Sequence, residues 1–148
     1  MGQDGGPRDP RPSPLPAFGI AAHRGASASH PENTLAAFRE AIRLGVHQIE
    51  LDVRVTEDGQ LVVIHDASVD RTTNGRGRVS SLTLDEIRRL DAGSWKSRRF
   101  RGERVPTLVE ALRIMPRNIW LNLHVKGDPW VAEEVALVVT EEDRVDQV

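Results

Sequence analysis

Residues 46–66, VHQIELDVRVTEDGQLVVIHD, decide how this chain folds. Apolar and polar residues alternate strictly from Ile49 to Val55. Ile49, Leu51, Val53 and Val55 take one face of a strand expected over Val46 to Val55, and Glu50, Asp52 and Arg54 take the other. Asp58-Gly59 is a tight-turn pair that folds Leu61–Ile64 back along that strand as a hairpin. The return carries His65 toward Glu50 and Asp52, which stand about 6.5–7 Å apart along one face. On their own, two such acids are the wet side of an ordinary strand. With His23 and His65 beside them they become two hard oxygen donors for a Mg²⁺ or Ca²⁺ ion, next to a general acid and a general base.

The same reading extends in both directions. Upstream, Phe18–Ala22 predicts a short buried strand ending at His23. A helix follows, capped by Asn33 or Thr34, with Leu35, Phe38 and Ile42 as its buried stripe and Gly45 as its stop. Downstream, residues 66–105 are irregular and basic, polar and mostly loop, with one short helix begun by the Thr83/Glu86 capping box. Thr107 and Glu110 repeat that box for a helix ending near Pro116. A further strand covers Ile119 to Val125, with Leu121, Leu123 and Val125 on one face and Asn122, His124 and Lys126 on the other. Asp128-Pro129 opens a last helix, lined by Val131, Val135, Val138 and Val139.

This order of elements is α/β, with parallel strands covered by helices. It predicts the N-terminal portion of a (β/α)₈ TIM-type barrel with an insertion after strand two, and a site at the C-terminal rim of the strands. A doubly wound sheet is the rival, but no glycine-rich phosphate fingerprint follows the first strand. Three barrel strands besides the hairpin return are fewer than eight. A truncated barrel is therefore expected, its remainder supplied by the same parent chain or by another subunit.

Composition narrows the function. With 20 basic and 22 acidic residues the chain has no global field for nucleic acid, and none is expected as a partner. The absence of cysteine removes disulfides, zinc–thiolate sites and thiol nucleophiles. Residues 1–16, rich in Pro, Gly, Arg and Asp, read as a disordered arm without the apolar core of a signal peptide. No stretch approaches the roughly 20 apolar residues of a membrane span, so the expected location is the cytoplasm.

One ordered set of motifs goes further: His23-Arg24-Gly25, Pro31-Glu32-Asn33-Thr34, Glu50-x-Asp52-Val53, Thr56-x-Asp58-Gly59, His65-Asp66, Arg71-Thr72-Thr73 and Pro106-Thr107-Leu108. In order and spacing it resembles the glycerophosphodiester phosphodiesterase family over about residues 18–127. The resemblance implies a metal-dependent barrel hydrolase of lipid and glycerol metabolism that converts glycerophosphodiesters to glycerol 3-phosphate and an alcohol. It implies His23 and His65 as the acid/base pair, Arg24 and Lys126 as phosphate-binding groups, and Glu50 and Asp52 as metal ligands. Glu32, Asn33 and Asp66 are implied as supporting residues. Residues 17–148 then form a partial domain, of which 57–105 are the family's insertion.

Where the family has Asn-x-Glu-x-Lys, this chain has Asn122-Leu123-His124-Val125-Lys126. His124 is the candidate third ligand. A nitrogen donor there shifts the expected divalent ion from Mg²⁺ or Ca²⁺ toward Mn²⁺ or Zn²⁺. The expected partner is a small glycerophosphodiester. The alternative reading is a truncated or degenerate barrel that binds phosphate or a protein partner without turnover, and residues 1–148 by themselves are expected to have negligible activity.

Overall fold

A computed structural model of the chain describes residues 12 and 14–148; most of the expected arm over residues 1–16 lies outside the described residues. The elements run β1 (Ala21–His23), α1 (Leu35–Arg43), β2 (Gln48–Val55), β3 (Leu61–Val63), α2 (Leu84–Arg88), α3 (Leu108–Ile114), β4 (Trp120–Val125) and α4 (Pro129–Glu141).

β2 is the centre of the sheet. One of its edges is shared, with β1 running parallel to its first half (Ala21 opposite Gln48, His23 opposite Glu50) and β3 antiparallel to its last half (Val53 opposite Val63, Val55 opposite Leu61). β4 runs parallel along the other edge, placing Asn122 opposite Glu50 and His124 opposite Asp52. Register alone therefore gathers His23, Glu50, Asp52 and His124. The hairpin turns as its sequence predicts: Gly59 adopts a positive φ of 77°, and the Thr56 and Gln60 backbones bond across it.

The apolar face of the sheet and the helices over it form the main core. Ile49, Leu51 and Val53 meet Phe38 and Ala41 of α1, Leu108, Ala111 and Leu112 of α3, and Val131, Val135 and Val139 of α4. In α1 the buried positions are Ala37, Phe38 and Ala41, while Leu35 and Ile42 are only partly covered. The expected stripe is thus rotated: Phe38 and Ala41 meet the sheet, and Ala37 is buried against the Gly25 turn.

Two expectations are corrected. The first strand is shorter than Phe18–Ala22 and is not buried over that range: Phe18 is 95% and Ile20 63% exposed. Among the described residues β2 is the only strand beside β1, so the approach to it is held by backbone bonds from His47 and Gln48 to the Ile20 carbonyl rather than by packing. Residues 66–105 are also more than polar loop. With the outer side of the hairpin they build a second core from Val62, Ile64, Val69, Val79, Ile87, Ala92 and Val105. Their turns are tight: a Cβ on Gly93 would lie 1.9 Å from the Phe100 carbonyl oxygen.

Candidate active site

In the first half and middle of β2, Glu50 and Asp52 are both buried. Cross-strand neighbours bring a histidine to each side. His23 Nε2 lies 3.8 Å from Glu50 Oε2, and His124 Nδ1 lies 3.8 Å from Glu50 Oε1 and 3.4 Å from Asp52 Oδ1. One donor atom from each of Glu50, Asp52 and His124 falls within 4.8 Å of the others, a spacing at which three donors can close on one small cation.

Asp52 carries the most informative atom. Its Oδ2 accepts from Asn33 Nδ2 at 3.0 Å, and its backbone N–H donates to Asn33 Oδ1 at 3.3 Å. Its Oδ1, equally buried, has no hydrogen-bond donor among the described residues. Two side-chain nitrogens, Lys126 Nζ and His124 Nδ1, both stand 3.4 Å away. A buried carboxylate oxygen without a donor is costly, on the order of 1–3 kcal/mol or more for a charged group. An oxygen kept in that state by two facing residues fits a metal ligand, and the mixed O, O, N donor set suits Mn²⁺ or Zn²⁺ as well as Mg²⁺.

The loop after β1 is shaped around these acids. Arg24 and Asn33 both adopt left-handed backbone, with φ of 59° and 57°. Such backbone costs about 1–3 kcal/mol unless its surroundings hold it, and here they do. The Arg24 N–H donates to Glu50 Oε2 at 3.0 Å, and the Arg24 carbonyl accepts from the Asn33 N–H at 3.0 Å. Gly25 continues the turn with φ 77°, and a Cβ on it would meet the Ala37 backbone at 2.8 Å. Only glycine lets the turn sit on α1. The Arg24 guanidinium then reaches Glu32 Oε1 at 3.0 Å and Asp52 Oδ2 at 3.4 Å.

His65 stands at the end of the hairpin return. Its Nδ1 is 2.7 Å from Asp66 Oδ1, and its carbonyl accepts from Arg54 Nε at 2.8 Å. Among the described residues His65 makes no ion pair with Glu50 or Asp52; a chain of charges links them instead. Arg71 bonds Asp66 through Nε at 2.7 Å and grips both oxygens of Glu32 at 2.8 and 3.0 Å, and Glu32 holds Arg24. Hydrogen bonds from Arg71, against the cost of burial and aided by His65, hold the Asp66 carboxyl well below its ordinary range. Burial opposes ionisation of Glu32, but Arg71 and Arg24 outweigh it and lower this carboxyl too. Arg71 itself is raised by Glu32 and Asp66. Burial lowers Arg54, against the pull of Asp52 and Asp66.

The structure thus gathers His23, Arg24, Glu32, Asn33, Glu50, Asp52, His124 and Lys126, and Arg71 joins Asp66, with His65 beside it, to Glu32. Arg71 is the residue that sequence reasoning did not single out. It lies in the Arg71-Thr72-Thr73 motif, but an arginine in an aperiodic loop gives no sign of which acids it will bridge. Trp95 and Trp130 are 38% and 47% exposed, and Phe100 packs on His30 with ring centroids 4.8 Å apart.

Comparison with known proteins agrees with this geometry. The model of the glycerophosphoryl diester phosphodiesterase family matches residues 23–145. A glycerophosphodiester phosphodiesterase from Caldanaerobacter subterraneus subsp. tengcongensis is 46% identical over 134 residues, covering 85% of this chain and 55% of the relative. The crystal structure of a glycerophosphodiester phosphodiesterase from Agrobacterium tumefaciens superposes with a TM-score of 0.82 at 41% identity, covering 87% of this chain and 55% of that one. An Oleispira antarctica phosphodiesterase, solved in complex with the product sn-glycerol-3-phosphate, gives 0.78 at 36% identity, covering 88% and 53%. The chain spans about half the length of the curated relatives it matches. Its α/β layer of parallel strands with one antiparallel return corresponds to part of their TIM barrels. Among the described residues no helix is long and apolar enough to cross a membrane.

Proposed function

This chain belongs to the glycerophosphoryl diester phosphodiesterase family, and from that premise we propose that the protein carrying it hydrolyses glycerophosphodiesters to sn-glycerol 3-phosphate and an alcohol, in lipid and glycerol metabolism. The observation that carries the reading is the Glu50–Asp52–His124 group, its two acids buried and its histidine exposed, in which Asp52 Oδ1 has no hydrogen-bond donor among the described residues. In this reading those three residues hold a divalent ion, with the nitrogen donor favouring Mn²⁺ or Zn²⁺ over Ca²⁺. When bound, the ion supplies Lewis-acid stabilisation of charge on the phosphate oxygens.

The chain's own residues then divide the work. Arg24 and Lys126 flank Asp52 from opposite sides and offset the charge of the bound diester. The Asp66 contact fixes the His65 ring at Nδ1, which leaves Nε2 to move a proton. One histidine takes the proton of the glycerol hydroxyl next to the ester as that oxygen attacks phosphorus. The other gives a proton to the departing alcohol. Water then opens the cyclic phosphate with the two roles exchanged. Arg71 and Glu32 keep the two histidine loops at fixed distance. The non-catalytic alternative is not favoured, since the relatives at 46–54% identity carry phosphodiesterase names. The remaining barrel strands, in the same parent chain or another subunit, complete the rim.

The test is release of glycerol 3-phosphate from glycerophosphocholine by the intact protein, before and after chelation and with Mn²⁺, Zn²⁺ or Mg²⁺ restored. Activity that requires a restored ion, and that Asp52→Ala abolishes together with ion binding measured by calorimetry, supports the reading. Full activity after exhaustive chelation would sink it.

A further inference from the structure

A second concave site adjoins the first. Between the ends of β2 and β4 and the 3-10 turn Val79–Ser81 lies a cavity of about 220 Å³. Arg54, Arg78, Lys126, Ser80 and the Gly127 backbone line it, and Asp128 is the one carboxylate on its wall. Three cations facing one acid across a small concave space is an unusual balance in a chain with two more acids than bases. Lys126 faces Asp52, but that acid is shared with other groups. Among the described residues Arg78 forms no ion pair. Of the acids near Arg54, Asp52 already faces Arg24, His124 and Lys126, and Asp66 is taken by Arg71 and His65. Like charges gathered around fewer counter-charges cost energy, and low-dielectric walls focus their field into the space between them.

Resting on the phosphodiesterase reading above, we infer that this cavity receives the anionic end of the leaving alcohol, so that the preferred substrates are glycerophosphodiesters whose alcohol carries a second phosphate. Position supports this. Lys126 belongs to both sites: its Nζ is 3.4 Å from Asp52 Oδ1, and it also lines the cavity. Arg78 lines the same cavity as Lys126. The volume holds roughly seven waters at about 30 Å³ each, the space of a small phosphorylated polyol. A cationic alcohol such as choline meets three like charges there. Arg54 also holds the His65 carbonyl, so Arg78 is the cleaner probe.

The experiment compares kcat/KM of the intact protein for glycerophosphoglycerol phosphate and for glycerophosphocholine. The expected ratio favours the former at least tenfold. Arg78→Ala lowers that ratio about tenfold, Arg78→Glu lowers it further, and Arg78→Lys keeps most of it. A ratio near one, or a ratio that Arg78→Ala leaves unchanged, overturns the inference. A second arm needs no turnover: calorimetric binding of inorganic phosphate in the presence of EDTA is expected to weaken about fivefold or more in Arg78→Ala. Unchanged phosphate affinity also overturns it. If neither diester is cleaved while phosphate affinity still falls, the hydrolytic reading fails and the cavity stands as an anion site.

Discussion

The sheet with its helices and the segment 66–105 solve the same problem by different means. In the first, β2 is buried along both faces of its middle, and regular strands and helices bring 18 buried residues into one core. In the second, seven buried residues suffice, and side chains holding backbone groups replace the regular elements. Asp91 alone accepts from the N–H groups of Gly93, Ser94 and Gly102 and from the Ser94 hydroxyl. The two cores meet at β3, whose Leu61 and Val63 face the main core while Val62 faces the other. The sheet supplies the ligands of the candidate site, and the second region supplies Arg71, which holds one of its histidine loops to the other. Rigidity for positioning the acids comes from area buried; reach across the mouth comes from local hydrogen bonds.

That contrast breaks most sharply in the cores. Phe38 is fully buried among β2, α3 and α1. Phe38→Ala is expected to cost about 3–5 kcal/mol and to lower protection of all sheet amides together in native-state hydrogen exchange. Ile87→Ala, in the second core, is expected to cost about 2–4 kcal/mol. Its loss is local: amides of 66–105 exchange faster while those of β2 and β4 keep their protection. Equal loss in both regions for Ile87→Ala would show that the two cores unfold as one unit.

Arg71→Ala tests the link between the regions. It removes the bridge from Asp66 to Glu32 without touching the three candidate ligands. Turnover of glycerophosphocholine is expected to fall about 10–100-fold, or ~1.4–2.7 kcal/mol of barrier, with affinity for the divalent ion unchanged by calorimetry. A parallel loss of ion affinity would place Arg71 in the support of Asp52 rather than of His65.

Legibility follows the same divide. Strict alternation in 49–55 gives the strand, the face of each acid and, through Asp58-Gly59, the return to His65, because a period of two leaves each side chain one choice of face. Capping boxes at Thr83 and Thr107 mark two helix starts that the structure reproduces. Periodicity is silent about the second core, since Val69, Val79, Ala92 and Val105 sit in turns at irregular spacing. It is equally silent about Arg71, whose partners Glu32 and Asp66 are 39 and 5 residues away. Phe18 and Ile20 mislead for the opposite reason: their pattern is that of a strand, but β1 starts only at Ala21 and the described residues leave both largely exposed.

Acid offers the gentlest way to separate the regions. Asp91 is held well below its ordinary range; burial works against this, and the N–H groups of Ser94, Gly93 and Gly102 overcome it. Asp66 is lowered in the same sense, chiefly by Arg71. A carboxyl whose pKa is depressed in the folded state binds its proton more readily when unfolded. Its contribution to stability is therefore fully present above the unfolded value of about 3.9 and is lost as pH falls below it toward the depressed folded value. Between pH 7 and about 5 these two groups should leave the segment 66–105 unchanged. Below about pH 4 its stability should decline before that of the sheet, since the two most strongly depressed carboxyls lie within it and its core is the smaller. The Trp95 indole N–H, bonded to the Ala92 carbonyl inside the Asp91 turn, gives a local proton resonance to follow against the far-ultraviolet dichroism of the whole. Its exchange should rise first in acid, and Asp91→Asn should flatten that part of the pH profile while lowering stability at neutral pH. Coincident acid transitions for the indole and the sheet would mean that the hydrogen-bonded turns borrow their stability from the sheet core.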